Sequence, residues 1–125
     1  MAIRKTIEID GVPVTFQASA ATPRLYRNLF RRDIFADMDS LMTAMNEQEE
    51  SSSGLDTFTL ELFENAAYTM AKQANPAIPD DVTEWLDSFE MFSIYQIMPH
   101  ILELWGFNLE TLAEAKKKYP QPTES

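Results

Sequence analysis

The run IEIDGVPVTF, residues 7–16, does most to narrow what this chain can fold into. Ile7 and Ile9, then Val12, Val14 and Phe16, alternate with polar neighbours around Asp10-Gly11, the period-2 pattern of strands with one buried face. Asp-Gly suits a two-residue turn whose central positions both need positive φ, so an antiparallel hairpin is expected over 3–18. Pro13 cannot donate to a ladder and belongs where its nitrogen faces outward, on an edge. A lone hairpin is marginal in water, so this one must lie against the helices that follow.

Those helices are read from spacing and caps. Thr22 as N-cap and Pro23 at the first helical position open a helix over 22–32, with Leu25 and Leu29 facing inward and Tyr26 and Phe30 beside them. Asp33 caps a second helix, 34–48, whose apolar stripe is Ile34, Met38, Leu41, Met42 and Met45. The polar stretch NEQEESSSG, 46–54, is expected to be a mobile loop. A helix over 55–74 carries Leu55, Phe58, Leu62, Ala66, Met70 and Ala74 at spacings of three and four, with Phe63, Ala67 and Ala71 alongside. Asn75-Pro76 ends it, and 80–89 restarts with acids in its first turn and Val82, Trp85, Leu86 and Phe89 inward. Residues 91–105 are apolar on nearly all sides and read as the central buried helix, bent or split by Pro99. Gly106 fits a C-terminal cap, Asn108 can cap a last helix over 108–118 with Phe107 against Leu112, and 119–125 should fray. The expected fold class is mainly α, one domain over 1–125 with an N-terminal β-hairpin packed on a bundle of about five to six helices.

The chemistry-bearing inventory is thin. There is no cysteine, which removes disulfides and thiolate metal sites and leans towards a cytoplasmic setting. The amino end lacks the apolar core of a secretion signal, and no apolar run approaches the roughly 20 residues that span a bilayer, so no membrane partner is expected. His100 is the one histidine and reads as a structural or interface residue, since a lone imidazole has no evident catalytic partner. Asp80, Asp81 and Glu84 match no calcium-loop spacing and are better explained as caps. No Gly-rich phosphate loop, Gly-x-Ser-x-Gly or His-Glu-x-x-His pattern occurs. The expectation is a protein that is not an enzyme and uses no cofactor.

Charge is unevenly spread. Residues 1–32 carry six Lys or Arg against two acids, residues 33–114 carry only Lys72 against seventeen acids, and residues 115–125 carry three bases against one acid. So acidic a body repels phosphates, and nucleic-acid binding is not expected. Arg24, Arg27, Arg31 and Arg32 form either a solvated helix face or an edge that meets the acidic body of a neighbouring copy, which would give a salt-sensitive homo-oligomer. Met38, Leu41, Met42 and Met45 are likewise open to two readings: core filling, or an adaptable grip on a partner, since the unbranched thioether repacks at little cost.

The stretches ASAATPRLYRNLFRRDIF, LELFENAAYTMAKQANPAIPDDVTEWLDSFEMFSIY and ILELWGFNLET resemble the tail assembly chaperones of long-tailed bacteriophages and prophages of Gram-positive hosts, in the same order over residues 3 to 118. One departure is the absence of a glycine near Arg31, so the turn between the first two helices should differ. The resemblance implies an assembly factor in the host cytoplasm, absent from the mature virion, which coats the tape measure protein and keeps it soluble while the tail tube assembles. It also implies a longer product made by a ribosomal slip, through which the tail tube protein would be reached; Lys116, Lys117 and Lys118 are either the trace of such a slip site or bases placed at a helix C-terminus. The alternative within the same setting is a structural tail or head-tail connector component of the virion.

Overall fold

Asp10 and Gly11 both take positive φ, 56° and 80°, and close a two-residue turn between β1 (Ile3–Ile9) and β2 (Val12–Ala18). The structure, a computed structural model, describes residues 2–50 and 57–106, without the side chains of 45–50. The strands pair antiparallel from Ile9 opposite Val12 to Ile3 opposite Ala18. Counting outward from the turn, hydrogen-bonded and non-hydrogen-bonded pairs alternate, and Pro13, opposite Glu8, falls on a non-hydrogen-bonded pair. Its missing N–H would have pointed outward, as expected. One face of the hairpin buries Ile7, Ile9, Phe16 and Ala18. The other carries the exposed hydrogen-bonded pairs Arg4–Gln17, 2.7 Å, and Thr6–Thr15, 2.9 Å.

The buried face rests on α3 (Thr57–Ala74), which also contacts the first two helices and the fourth. α3 thus joins β2 to three other helices, and the apolar segment after residue 90 is buried as expected at Ile94, Ile97, Met98, Ile101, Leu104 and Trp105. Ala66, Ala67 and Ala71 give α3 a low surface that a sheet can approach closely, while Leu62, Phe63 and Met70 fill the space around it. Thr69 is buried too, its hydroxyl donating to the Asn65 carbonyl at 2.8 Å.

In α1 (Thr22–Phe30), Tyr26 is the residue that reaches the core; Leu25 is half-buried and Leu29 exposed, contrary to the inward placing expected of both. Thr22 is not the N-cap. Ala21 holds that position, and the buried Thr22 hydroxyl accepts from the Ser19 N–H at 2.9 Å and donates to Gln73 Oε1 on α3 at 2.7 Å, fixing the hairpin exit to the central helix. Arg31 ends α1 in the left-handed conformation, φ 59°, with its N–H on the Arg27 carbonyl at 2.7 Å. This is the turn in which the resemblance leads one to expect glycine, and a Cβ there is strained.

Asp33 Oδ1 accepts from the Phe35 N–H at 3.0 Å and caps α2 (Ile34–Glu50) as expected. The helix does not give way to a loop at 46: Met, Glu and Gln are good helix formers, and α2 runs on to Glu50. Residues 51–54 of the expected loop lie outside the described residues, as do 55 and 56 of the following helix. Asp37 joins three elements. Its buried carboxylate accepts Tyr26 Oη from α1 at 2.7 Å and takes Arg32 in bidentate fashion, Nε and one terminal nitrogen each at 2.7 Å. The Arg32 guanidinium in turn lies 5.3 Å from the ring centre of Phe58 on α3.

The stretch expected as one helix over 80–89 is the shorter α4 (Val82–Leu86), capped by Asp81, which accepts from the Glu84 N–H at 3.1 Å. Ser88 closes the turn after it by donating to the Trp85 carbonyl at 2.6 Å. Trp85 is buried, and Val82, Leu86 and Phe89 are half-buried against the core. The expected helix over 91–105 is split into α5 (Ser93–Gln96) and α6, helical through 98–106, with the break at Ile97. Pro99 sits in the first turn of α6, where a missing N–H leaves no bond unmade. The helix expected over 108–118, Lys116–Lys118 and the tail 119–125 lie outside the described residues.

Two measurements check the joint between α1 and α2. Arg31→Gly relieves the left-handed strain and raises unfolding free energy in urea by about 1 kcal/mol, less what glycine adds to unfolded-chain entropy. For Asp37, burial pushes the carboxyl up, but hydrogen bonds from Arg32 and Tyr26 with the Arg32 charge outweigh it and hold it below the ordinary 3.8. A depressed native value stabilises the fold above the unfolded value and loses that contribution as pH falls through the native one. Asp37→Asn therefore loses about 1–3 kcal/mol at neutral pH and shows a shallower loss of stability below about pH 4 than wild type, read from urea unfolding across pH.

Candidate interaction surface

The apolar stripe of α2 is core at Met38 and Leu41. Met38 and Leu41 are 0 % exposed, Met42 is half-buried against the same cluster, and the side chain of Met45 lies outside the description. As a free grip on a partner, Met38 and Leu41 are thereby corrected: the stripe faces α3 because Asp37, one residue before Met38, is locked inward by Tyr26 and Arg32. The four arginines also part company. Arg24, Arg27 and Arg31 are exposed and meet no acid among the described residues, whereas Arg32 is taken up by Asp37.

Apolar surface is instead exposed at the hairpin tip. Asp10 accepts the Glu90 N–H at 3.0 Å through one oxygen and the Ser93 hydroxyl through the other, so the turn 90–93 is strapped to Asp10-Gly11. These bonds, Ser93 first and Glu90 second, hold the Asp10 carboxyl below its ordinary range. Between the strapped ends stand Met91 and Phe92, 77 % and 69 % exposed, with Val12 at 58 % beside the same turn. Backbone geometry forces this display: residues 90–93 are occupied with capping and turning, so the two side chains between them have no helix face to bury.

A groove of about 430 Å³ leads away from the tip along β2. Val12 and Val14 form one wall, Ala71 and Ala74 of α3 the floor, and Ile78, Trp85 and Phe89 the other wall. That second wall is braced from below. Tyr68 stacks edge-on against Trp85 at 5.6 Å, Trp85 against Phe89 at 5.1 Å, and Tyr68 Oη donates to the Pro79 carbonyl at 2.5 Å. Lys72, the one base of the acidic body, gives its ammonium to the Pro76 and Ile78 carbonyls at 2.9 and 2.7 Å and to Asp80 at 2.7 Å. It shapes the loop. Burial pushes the Tyr68 hydroxyl up, away from ionisation.

Two further features complete the surface. Phe35 is exposed on one side and packs on Trp105 at 5.3 Å on the other, while exposed Phe58 carries the Arg32 guanidinium. Beyond β1, a polar cleft of about 460 Å³ brings Glu8, Asp10 and Glu90 near exposed His100. Among the described residues no three His, Asp or Glu side chains group as metal ligands, and no helix is long and apolar enough to cross a membrane.

Met91 and Phe92 escaped the sequence reading because apolar side chains in a run with Ile94, Ile97 and Met98 look like one buried helix, and Val12 because it belongs to the alternating apolar set of β2 whose other members are covered. The signal that could have found the pair is Ser88 and Ser93 on either side of it, residues that favour turns and caps over helix interiors. Among known proteins, no family model, no curated protein and no solved structure matches this chain.

Proposed function

We propose that this chain is a non-catalytic tail assembly chaperone, which holds the tape measure protein of a long-tailed bacteriophage in soluble form in the host cytoplasm while the tail tube forms around it. The observation that carries the reading is the exposed apolar tip, Val12, Met91 and Phe92, on a strongly acidic chain. A helper of this kind needs both parts. Exposed, flexible apolar side chains cover a client's apolar helical faces reversibly, and like charge on the coat keeps loaded complexes apart. The grip is displaced from the α2 methionines to the tip, because Met38 and Leu41 are committed to the core. Arg24, Arg27 and Arg31, free of internal acids among the described residues, supply the edge through which copies associate, with an affinity that falls as salt rises.

Co-expression tests this. The tape measure protein stays in the soluble fraction with wild-type chain and is lost from it with Met91→Asp plus Phe92→Asp, while circular dichroism and urea unfolding of the variant stay within about 0.5 kcal/mol of wild type, as for exposed sites. Client that remains soluble with both charges in place contradicts the tip as the grip. Abundant chain in purified particles contradicts a chaperone and favours a virion component.

A further inference from the structure

The hairpin leaves the outer edge of β2 unpaired. Opposite residues bond only at alternate pairs, so the Pro13 carbonyl and the N–H and C=O groups of Thr15 and Gln17 point away from β1. None of them is hydrogen-bonded within the described residues. Directly beside this edge runs the apolar groove, and its volume of about 430 Å³ falls in the range of about 300–1,000 Å³ typical of ligand sites. An added strand about 4.8 Å from β2 would lay alternate side chains over Ala74, Ile78 and Trp85, continuing the face that β2 already buries on α3. Among the described residues Arg4 is the one charged residue lining the groove; Asp81, Glu84 and Asp87 are exposed on or beside α4, the helix that gives Trp85 to the groove, and none of these three acids forms an ion pair among the described residues. Pro13 withholds a donor near the tip, which limits edge-to-edge pairing with a second copy and leaves Thr15 and Gln17 as the docking stretch.

We propose that this groove takes an extended protein segment as a third strand, with alternating apolar residues flanked by Lys or Arg. It deepens the client-holding reading and rests on it, adding a strand-addition mode to the apolar tip: main-chain bonds at Thr15 and Gln17 give affinity, the groove selects apolar side chains, and the exposed acids around α4 select basic flanks.

The full chain, labelled with ¹⁵N, is titrated with acetyl-KVTVIVK-amide and with its acidic counterpart acetyl-EVTVIVE-amide. Amide shifts at Thr15 and Gln17 and about tenfold tighter binding of the lysine peptide are expected. Glu84→Lys with Asp87→Lys abolishes that preference. Thr15→Pro, which removes the outward N–H at a position that does not serve the β1 ladder, weakens binding at least about fivefold, whereas Thr6→Pro, which removes the outward N–H on the opposite edge of the hairpin, leaves it unchanged. Equal binding of the two peptides overturns the proposal, as do shifts confined to Met91 and Phe92. Sedimentation showing concentration-dependent dimers that Thr15→Pro abolishes overturns it in favour of a second copy at the β2 edge. Peptide that fails to bind while the tape measure protein is still kept soluble sinks only the strand site; peptide that binds while the client precipitates sinks only the chaperone reading.

Discussion

A two-stranded sheet has no interior of its own, so the rest of this protein is organised by where its apolar face comes to rest. Phe16 and Ala18 of β2 settle on the alanine-bearing α3, and that contact fixes the remaining geometry, while Ile7 and Ile9 of β1 lie beside Ser93 and Ile97. Thr22 bonds to Gln73 as the chain leaves β2, setting the start of α1 against α3. The Tyr26–Asp37–Arg32 network then sets α2 against α1, and α2 turns Met38 and Leu41 inward because Asp37 is held. At the opposite end of β2, Asp10 straps residues 90–93 and presents Met91 and Phe92 to solvent.

Charge placement follows the same logic. Arg32 and Lys72 are spent on internal acceptors, one on Asp37 and the other on two carbonyls and Asp80. Neither neutralises the exposed acids of α4. The loop that gives Ile78 and Pro79 to the groove is thus pinned by a lysine, and an open strand edge lies across from it. Apolar tip, groove and edge are contiguous because all three are built from β2 and the segment 71–93.

Much of the fold was legible in the sequence where local chemistry decides it. Asp10-Gly11 gave the hairpin turn, Pro13 its outward place, Asp33 the cap of α2, and Pro99 the split between α5 and α6. What could not be read was decided by tertiary contact. Thr22 looks like a cap until Gln73 is beside it, and Tyr26 takes the core place on α1 with Leu29 left exposed because the tyrosine hydroxyl finds Asp37. The methionine stripe illustrates the limit: helical spacing is the same for a ridge that packs and a ridge that grips, and only the orientation of Asp37 separates them. Met91 and Phe92 show the converse, apolar residues whose exposure is set by a strap 80 positions away in the chain.

The central claim is that reachable, deformable apolar surface lies at the hairpin tip and that Met38 of α2 is sealed. Oxidation by hydrogen peroxide, followed residue by residue by mass spectrometry on the free chain and on the chain bound to its client, tests it most directly. The account predicts that Met91 oxidises fastest, that Met38 and Met70 oxidise only when the chain unfolds, and that client protects Met91. Oxidation of Met38 at a rate comparable to Met91 in the folded protein, or client protection at Met38 with none at Met91, would contradict it.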